Sequence, residues 1–506
     1  SRAGTHASIN AAISSLDRWR LSLLTALAAL GDLTLDELTD AICQGWPPKP
    51  DTIRADVADG VSDLLDMVLV LEDSGHLHVI QVVTTHLPGY PAGLAPVSVM
   101  PMSSEEVAER LAAAGPKAHA VLERLVWSPT GHLPNARRTV TPETATTPVE
   151  MALAHRLLRP LGDDTVVLPR EVALPLRGNR LLAEQPSPTP PAWPEPRQTT
   201  LVNRAGLGTA LEAVSAMSAL LEGVERHDCA LLASGGMAKR DARTVLSRVA
   251  TGDDGWVHLA VAAAGGFIGA DGRGWLPTSL ADRWRTDSLW GQWVSLRDAW
   301  RRIPQLPGSL GNTLDASSPA TARAWRRLVH EELSTAEPGT PVEAGLVADR
   351  IRWRQPGTTV DDSLVEAVLD ECRVLGLIAL GARTDLVDSL TCDDLPERTD
   401  EVILQSDLTA IAPGPLTPDT AADLALLADR ESTGIAGVRR FTRTSLRRAL
   451  DAGWTGDRVR QWWTDHSLSD VPQGLLVLLD DVVRDHGRVS VAAAGALLEV
   501  DRKSVV

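Results

Sequence analysis

The stretch that decides the fold of the C-terminal part runs Val402-Ile-Leu-Gln-Ser-Asp-Leu-Thr-Ala-Ile-Ala-Pro-Gly-Pro-Leu416. Its two apolar runs, Val402–Leu404 and Leu408–Ile411, are separated by polar turn residues and predict two short strands. The amphipathic segment Pro418–Asp429 predicts a helix, and Val438–Phe441 predicts another strand. Three further helices complete a mixed α+β domain. They are predicted at Ser445–Ala452, Asp457–Asp465 and Gly474–Asp485.

The ends of these helices carry typical capping residues. Thr444 or Ser445 is the expected N-cap of the first of the three, and Gly453 is the expected residue just past its end. Val471-Pro472 places a proline where a last long helix begins and where proline is best tolerated.

The order and spacing of this region resemble the N-terminal domain of XPB/Ssl2-type repair helicases. The same domain closes a group of actinobacterial helicase-associated proteins that lack a motor. The matching residues are Gln405-Ser406-Asp407-Leu408, Phe441, Leu446, Ala449-Leu450, Gly453, Val471-Pro472-Gln473 and His486-Gly487. The resemblance implies an XPB N-terminal-like domain over residues 395–495, which serves partner contacts and motor regulation outside the ATPase.

The motor's own residues are not present in this sequence. A P-loop needs a Gly-Lys-Ser/Thr string, whose lysine neutralises the phosphates. The four lysines are Lys49, Lys117, Lys239 and Lys503, and none of them follows a glycine. The nearest string to an acidic Mg²⁺-binding motif, Asp36-Glu37-Leu-Thr-Asp40, lies in a predicted amphipathic helix. We therefore expect a protein that is not an ATP-hydrolysing enzyme.

Upstream of residue 395, a helical segment followed by a β-hairpin recurs. In the first copy, helices at Ile9–Leu30, Leu35–Cys43 and Asp51–Met67 precede strands at Val68–Leu71 and His76–Val83. This is the element order of a winged-helix domain. The predicted fold is mainly α with small β-hairpins, arranged as tandem winged-helix-like modules before the α+β domain. The modules span residues 1–100, 101–184, 201–305 and 320–394, with a proline-rich linker at 185–200.

The other copies are predicted from the same pattern. Their elements are helices at Glu105–Trp127 and Pro148–Leu158 with a hairpin at Leu161–Leu168, helices at Asp241–Ala250 and Val257–Ala264 with a hairpin at Gly266–Pro277, and helices at Trp325–Leu333, Val342–Asp349 and Ser363–Leu375 followed by Gly376–Leu380.

Composition limits the possible partners. The chain has 506 residues, which predicts several domains, and a formal net charge of −17. An acidic protein is a poor match for broad duplex DNA binding, so either a local basic face contacts DNA or the working surface binds protein. We find no run of about eighteen apolar residues that would span a bilayer. We expect a cytoplasmic protein with no membrane contact.

No pattern predicts a metal or a cofactor. The cysteines Cys43, Cys229, Cys372 and Cys392 are scattered, without the close pairs that a zinc site uses. His76 and His78 alternate along a predicted hairpin and have no acidic partner at ligand spacing.

The densest basic feature is a group of arginines near the C-terminus, which we call the C-terminal arginine cluster. Its members are Arg439, Arg440, Arg443, Arg447 and Arg448. Guanidinium groups so placed suit phosphates, which makes the cluster the candidate nucleic-acid-binding site. The alternative is a salt-bridged face with Asp429, Glu431 and Asp451 as partners.

Tryptophan flanked by arginine recurs along the chain. Examples are Trp300-Arg301-Arg302, Trp325-Arg326-Arg327 and Arg352-Trp353-Arg354. Aromatic rings beside cations suit single-stranded nucleic acid. Each of these tryptophans also fits a helical apolar pattern, so burial with arginines extending to solvent is the alternative.

From its two ends we expect the chain to be a fragment, and the alternative for the C-terminal end is an ordinary frayed tail. The first residue is Ser1 rather than Met, and residues 501–506 match one reading frame of a sequencing adapter.

Together these features predict a non-catalytic helicase-associated accessory protein in DNA repair or transcription, with DNA, a helicase or another protein as its partner. The alternative is a transcriptional regulator or scaffold whose winged helices bind protein and never DNA.

Overall fold

The computed structural model describes residues 6–47, 53–247, 249, 255–272, 274–309, 314, 318–389, 391, 392, 394–432 and 437–487. The chain divides into two compact units. One comprises residues 1–192 and 348–361, and the other comprises residues 193–347 and 362–506. Both are mainly helical with small antiparallel sheets, which confirms the predicted fold class.

The elements of the first unit are α1 (His6–Ser14), α2 (Arg18–Leu30), α3 (Leu35–Cys43), α4 (Ile53–Asp66), β1 (Val70–Asp73), β2 (His76–Val79), α5 (Gln81–Thr84), α6 (Ser104–Ala114), α7 (Pro116–Leu125), β3 (Thr130–His132), α8 (Pro148–Ala154), β4 (Arg159–Pro160), β5 (Thr165–Val167) and α9 (Arg170–Leu176). Their buried apolar residues form one continuous core from Ile9 to Leu181.

The second unit begins with α10 (Thr199–Glu225), β6 (Cys229–Ala230), α11 (Lys239–Leu246), α12 (Gly255–Ala264), β7 (Ile268–Ala270), β8 (Gly274–Pro277), α13 (Ser279–Thr286), α14 (Leu289–Trp300), α15 (Pro319–Leu333), α16 (Ala344–Arg354), α17 (Asp362–Val374), β9 (Ile378–Ala379) and β10 (Ala382–Arg383). Of these elements, α16 is divided between the units, because its residues from 348 onwards belong to the first. Its C-terminal domain contains β11 (Ile403–Leu404), β12 (Thr409–Ile411), α18 (Pro418–Leu427), β13 (Asp429–Arg430), β14 (Val438–Arg440), α19 (Arg443–Asp451), α20 (Gly456–His466) and α21 (Gln473–Asp485).

One strand arrangement occurs four times. In each copy, a strand or single bridging residue that lies upstream of the last helix pairs with the second strand of the hairpin after that helix. The orders are Leu33–β2–β1, β3–β5–β4, β6–β8–β7 and Pro341–β10–β9. The repeat seen in the sequence is therefore a repeat of topology as well as of element order.

Several predicted elements in the first unit differ in extent from those observed. The helix predicted at Ile9–Leu30 is two helices, α1 and α2, separated by residues 15–17. The strand predicted at His76–Val83 stops at Val79, and Gln81–Thr84 forms a helical turn that buries Val83. The single helix predicted at Glu105–Trp127 is two helices. The break falls at Gly115, where φ is +80°, followed by Pro116, which has no N–H to donate.

Helix α10 is the core helix of the second unit. By length and composition alone it is able to cross a membrane, which corrects the expectation that no such run exists. Within the protein, 61% of its most apolar window is buried, and the helix packs against α12 and α14. This burial is the pattern of a core helix in a folded domain.

Candidate functional site in the C-terminal domain

The C-terminal domain is built on a four-stranded antiparallel sheet in the order β11–β12–β14–β13. In β14, Arg439 pairs with Arg430 across the sheet, and Arg440 pairs with Asp429. Because successive side chains of a strand point to opposite faces, the neighbours Arg439 and Arg440 serve different surfaces.

Behind the sheet lies a compact core. Phe441 packs edge-on against Trp463, with ring centroids 5.4 Å apart, and Leu446, Leu475 and Leu479 are fully buried. Trp462 and Trp463 belong to the same core. The motif residues quoted for the family resemblance that lie here are therefore scaffold residues.

Helix α19 begins slightly earlier than predicted. Thr442, and not Thr444 or Ser445, is the N-cap, because its hydroxyl accepts the N–H of Ser445 at 3.0 Å while the Ser445 hydroxyl accepts the N–H of Thr442. Gly453 follows the helix with φ +89°, which confirms its predicted place. This cap sets the positions of the arginines along α19.

Arg439 does not face solvent. Its guanidinium binds Glu222 of α10 through both Nη atoms, and Arg430 Nη2 donates to the same carboxylate at 2.6 Å. Only 8% of the Arg439 side chain and 14% of the Glu222 side chain are exposed. Burial alone would raise the pKa of Glu222, but Arg439 and Arg430 outweigh it and lower this pKa to about 2.

Arg448 is a helix-capping residue. It donates to the carbonyl oxygens of Leu426 and Ala425 at the end of α18, and its Nη1 lies 3.0 Å from Asp429 Oδ1. Arg226, which directly follows α10, reaches the same place and donates to Ala425 O at 2.7 Å. Two cations at a helix C-terminus stabilise its unpaired carbonyl groups.

The other three arginines are nearer to solvent. Arg440 binds Glu431 at 3.0 Å, and Arg443 binds Asp481 at 3.0 Å. Arg447 is exposed, and no carboxylate partner is recorded for it among the described residues. Four of the five arginines of the cluster thus form ion pairs, as the salt-bridge alternative required. Two of the observed carboxylate partners, Glu222 and Asp481, are not among those that this alternative named. Phosphate binding by this cluster stays a prediction.

The residues that sequence reasoning missed are Glu222, Arg226 and Arg430. Glu222 and Arg439 are 217 positions apart, which no local pattern encodes. One signal was present: Glu222 stands in an apolar run between Leu221 and Gly223, and a carboxylate in a buried helix face normally has a cationic partner.

A cleft of about 710 Å³ in the second unit borders the ion pairs that Glu222 forms with Arg430 and Arg439. Its lining joins apolar side chains of α10 and α18 to Glu222, Arg430, Arg439 and Arg398. Arg398 Nη2 donates to Asp287 O at 2.6 Å and to Gln292 Oε1 at 3.1 Å. The cleft is within the size range of ligand sites, and it combines an apolar wall with charged groups.

In the described parts of the chain, no group of three or more His, Cys, Asp or Glu side chains is placed to hold a metal ion. Cys229 and Cys372 are buried, as small apolar residues are, and burial raises the pKa of the Cys229 thiol to about 11.

Residues 402–506 match the family model described as the helicase conserved C-terminal domain. No curated protein matches the chain. The matched range begins at Val402 and contains β11 to α21, and with them the whole C-terminal arginine cluster. The chain therefore carries a helicase-related C-terminal domain.

Proposed function

We propose that this protein is a non-catalytic accessory of a helicase in DNA repair or transcription, and that another protein supplies the ATP-driven motor. The helicase-related C-terminal domain carries this proposal. Its compact core and its internally paired arginines suit a docking and regulatory domain better than a catalytic one. We further propose that this domain is of the XPB N-terminal type.

The four repeated sets of elements are proposed to be winged-helix modules. The support is their strand order, in which a strand or bridging residue upstream of the last helix pairs with the second hairpin strand, as in winged-helix domains. In such domains that read DNA, the helix just before the hairpin enters the major groove. In this chain these helices are α4, α8, α12 and α17.

None of these four helices, all described in full, carries a positive net charge. Helix α12 has no charged residue, and its central residues, including His258, are buried. The charged residues of the other three are Arg54, Asp56, Asp59, Asp63 and Asp66 in α4, Glu150 in α8, and Asp362, Glu366, Asp370, Glu371 and Arg373 in α17. Carboxylates on such a helix would repel DNA phosphates. We infer that these helices do not read DNA.

This charge pattern also favours a second candidate function, a regulator or scaffold whose modules bind only protein. The two candidates differ in the partner. A helicase accessory associates with an ATP-hydrolysing motor, whereas a scaffold of the second kind associates with proteins that have no motor.

We predict no ATP turnover by the purified chain, with or without DNA. No lysine is placed to neutralise a β- or γ-phosphate, and a hydrolysis site needs that charge. The measurement is phosphate release with duplex, forked and single-stranded DNA as stimulants. DNA-stimulated turnover that persists through repurification would contradict the proposal.

A further inference from the structure

A basic concavity lies in the second unit, between the end of α14 and one face of α15 that extends from Ala320 to Glu331. Its volume is about 560 Å³. It is lined by Arg301, Ala320, Arg323, Ala324, Arg327, His330 and Glu331. Three guanidinium groups and one carboxylate thus converge on one depression of a chain whose net charge is −17.

Two of the tryptophan–arginine motifs contribute arginines to the lining of the concavity. Trp300 is fully buried and Trp325 is 7% exposed, which confirms the burial interpretation of these rings. Their neighbours Arg301 and Arg327 line the depression. The tryptophans anchor α14 and α15 in the core, and this anchoring places Arg301, which follows α14, on the same surface as the arginines of α15.

These arginines are only weakly engaged. Arg323 Nε donates to the carbonyl oxygen of Arg302 at 3.3 Å, and no carboxylate partner is recorded for Arg323 among the described residues. Arg327 lies 3.5 Å from Glu331, but both side chains are more than half exposed. Solvent screens such a pair, so it contributes little and gives way to a better anion.

Arg301 is positioned in the wall of the concavity by its neighbours. Its Nη2 faces His330 Nε2 and its Nη1 lies 3.7 Å from Asp298, while its buried Nε has no hydrogen-bond partner within the described structure. Burial, together with the neighbouring Arg301, lowers the pKa of His330 to about 4. A neutral His330 accepts a hydrogen bond from Arg301, and the positive charge of the site stays on the arginines.

The first turn of α15 adds to the positive character. It contains Ala320 and no acidic residue, and the peptide dipoles of a helix are positive at this end. The small side chains Ala320 and Ala324 leave space on the helix surface for a bulky anion.

We propose that this concavity binds the phosphate backbone of duplex DNA. Arginine recognises phosphate through paired N–H donors, and such contacts position a protein on DNA without reading its sequence. The described lining includes no exposed aromatic ring on which single-stranded bases stack. A duplex has the higher density of phosphate charge, so it is the favoured occupant.

The choice of DNA among polyanions rests on the proposed function, but the concavity and its charges do not. Failure of the proposed function would appear as a captured complex without ATP turnover. Failure of this inference would appear as unchanged binding of duplex DNA by the α15 variant, and it would leave the capture result as it is.

The test compares variants of the intact chain by fluorescence anisotropy with a labelled duplex of about 20 base pairs. The test variant is Arg323→Ala with Arg327→Ala. Arg240→Ala with Arg243→Ala on α11 removes the same charge from another exposed surface, and Arg443→Ala with Arg447→Ala tests the C-terminal arginine cluster. Titrations at several salt concentrations give the salt slope, and a single strand of equal length gives the preference.

The expected result is that the α15 variant loses affinity on the order of 50-fold at about 0.1 M salt, with a salt slope smaller by about 2. Both comparison variants should retain most of the affinity, and the duplex should bind more tightly than the single strand. Unchanged binding by the α15 variant would overturn the proposal, as would an equal loss in either comparison variant. Failure of the unmodified chain to bind duplex at low salt, even if it binds a phosphopeptide, would also overturn it.

Discussion

Replacing Arg326 by alanine is expected to lower the free energy of unfolding by about 4 kcal/mol. Arg326 is fully buried, and its guanidinium binds both oxygens of Glu371 at 2.7 Å. It also donates to the carbonyl oxygens of Ile303 and Gln305. Without it, the Glu371 carboxylate stays buried with no counter-charge, held only by the indole N–H of Trp300. Urea unfolding followed by tryptophan fluorescence measures the loss.

The adjacent Arg327→Ala is the matched control, because that side chain is 63% exposed and its pair with Glu331 is screened. We expect the control to change stability by less than about 1 kcal/mol. Arg326→Met combined with Glu371→Leu removes both charges, and should be milder than the single change. A single variant as stable as the control would show that this ion pair does not hold α15 to α17.

Replacing Glu222 by glutamine is expected to cost about 3 kcal/mol of unfolding free energy. The change leaves Arg439 and Arg430 close together, largely buried and without the carboxylate that neutralises them. The control is Glu225→Gln, three residues along the same helix. The side chain of Glu225 is 49% exposed in its pair with Arg285, so its loss should cost less than about 1 kcal/mol. Equal effects in both variants would contradict the assignment.

Glu222 also predicts an acid dependence. Its pKa is lowered from 4.5 to about 2 in the folded protein, so the unfolded chain takes up the proton first as the pH falls. The stabilisation from this group is complete above the unfolded pKa, and is lost as the pH falls from 4.5 towards 2. The loss over that window is roughly 3 kcal/mol, at about 1.4 kcal/mol per pKa unit. Glu222→Gln should remove this part of the acid sensitivity, whereas Glu225→Gln should keep it.

Sequence reasoning worked best where a local pattern decides the structure. The existence of the first β-hairpin, the helices of the C-terminal domain and the burial of Trp300 and Trp325 all follow from periodicity and turn chemistry. The errors arose where tertiary packing competed with the local sequence pattern. At residues 80–83, packing of Val83 against the core prevailed over a strand-like apolar run.

At the candidate site, the ion pairs between residues far apart in the sequence could not be predicted. The composition of the C-terminal arginine cluster is visible in the sequence, but its partners are not. Arg439 meets Glu222 from 217 positions away, and Arg443 meets Asp481 on another helix. The same limit applies to the basic concavity, where Arg301 at the end of α14 and Arg323 in α15 have 21 residues between them. Only the fold brings such charges together or neutralises them.

The distribution of charge separates two surfaces in the proposed function. Acidic helices precede the hairpins of the first and fourth modules, while the cations near α15 gather in one depression. We therefore propose that protein partners contact the acidic helices of the modules. We propose that DNA contacts the basic concavity near α15. This proposed division reconciles a net charge of −17 with the DNA contact that we propose.

The most direct test of the central proposal is ATP turnover by the complex captured on this protein from its native source, compared with turnover by the chain recovered from that complex. The account predicts DNA-stimulated hydrolysis by the complex, a motor protein identified within it, and no hydrolysis by the isolated chain. A stable complex without turnover, or turnover that stays with the isolated chain, would contradict it.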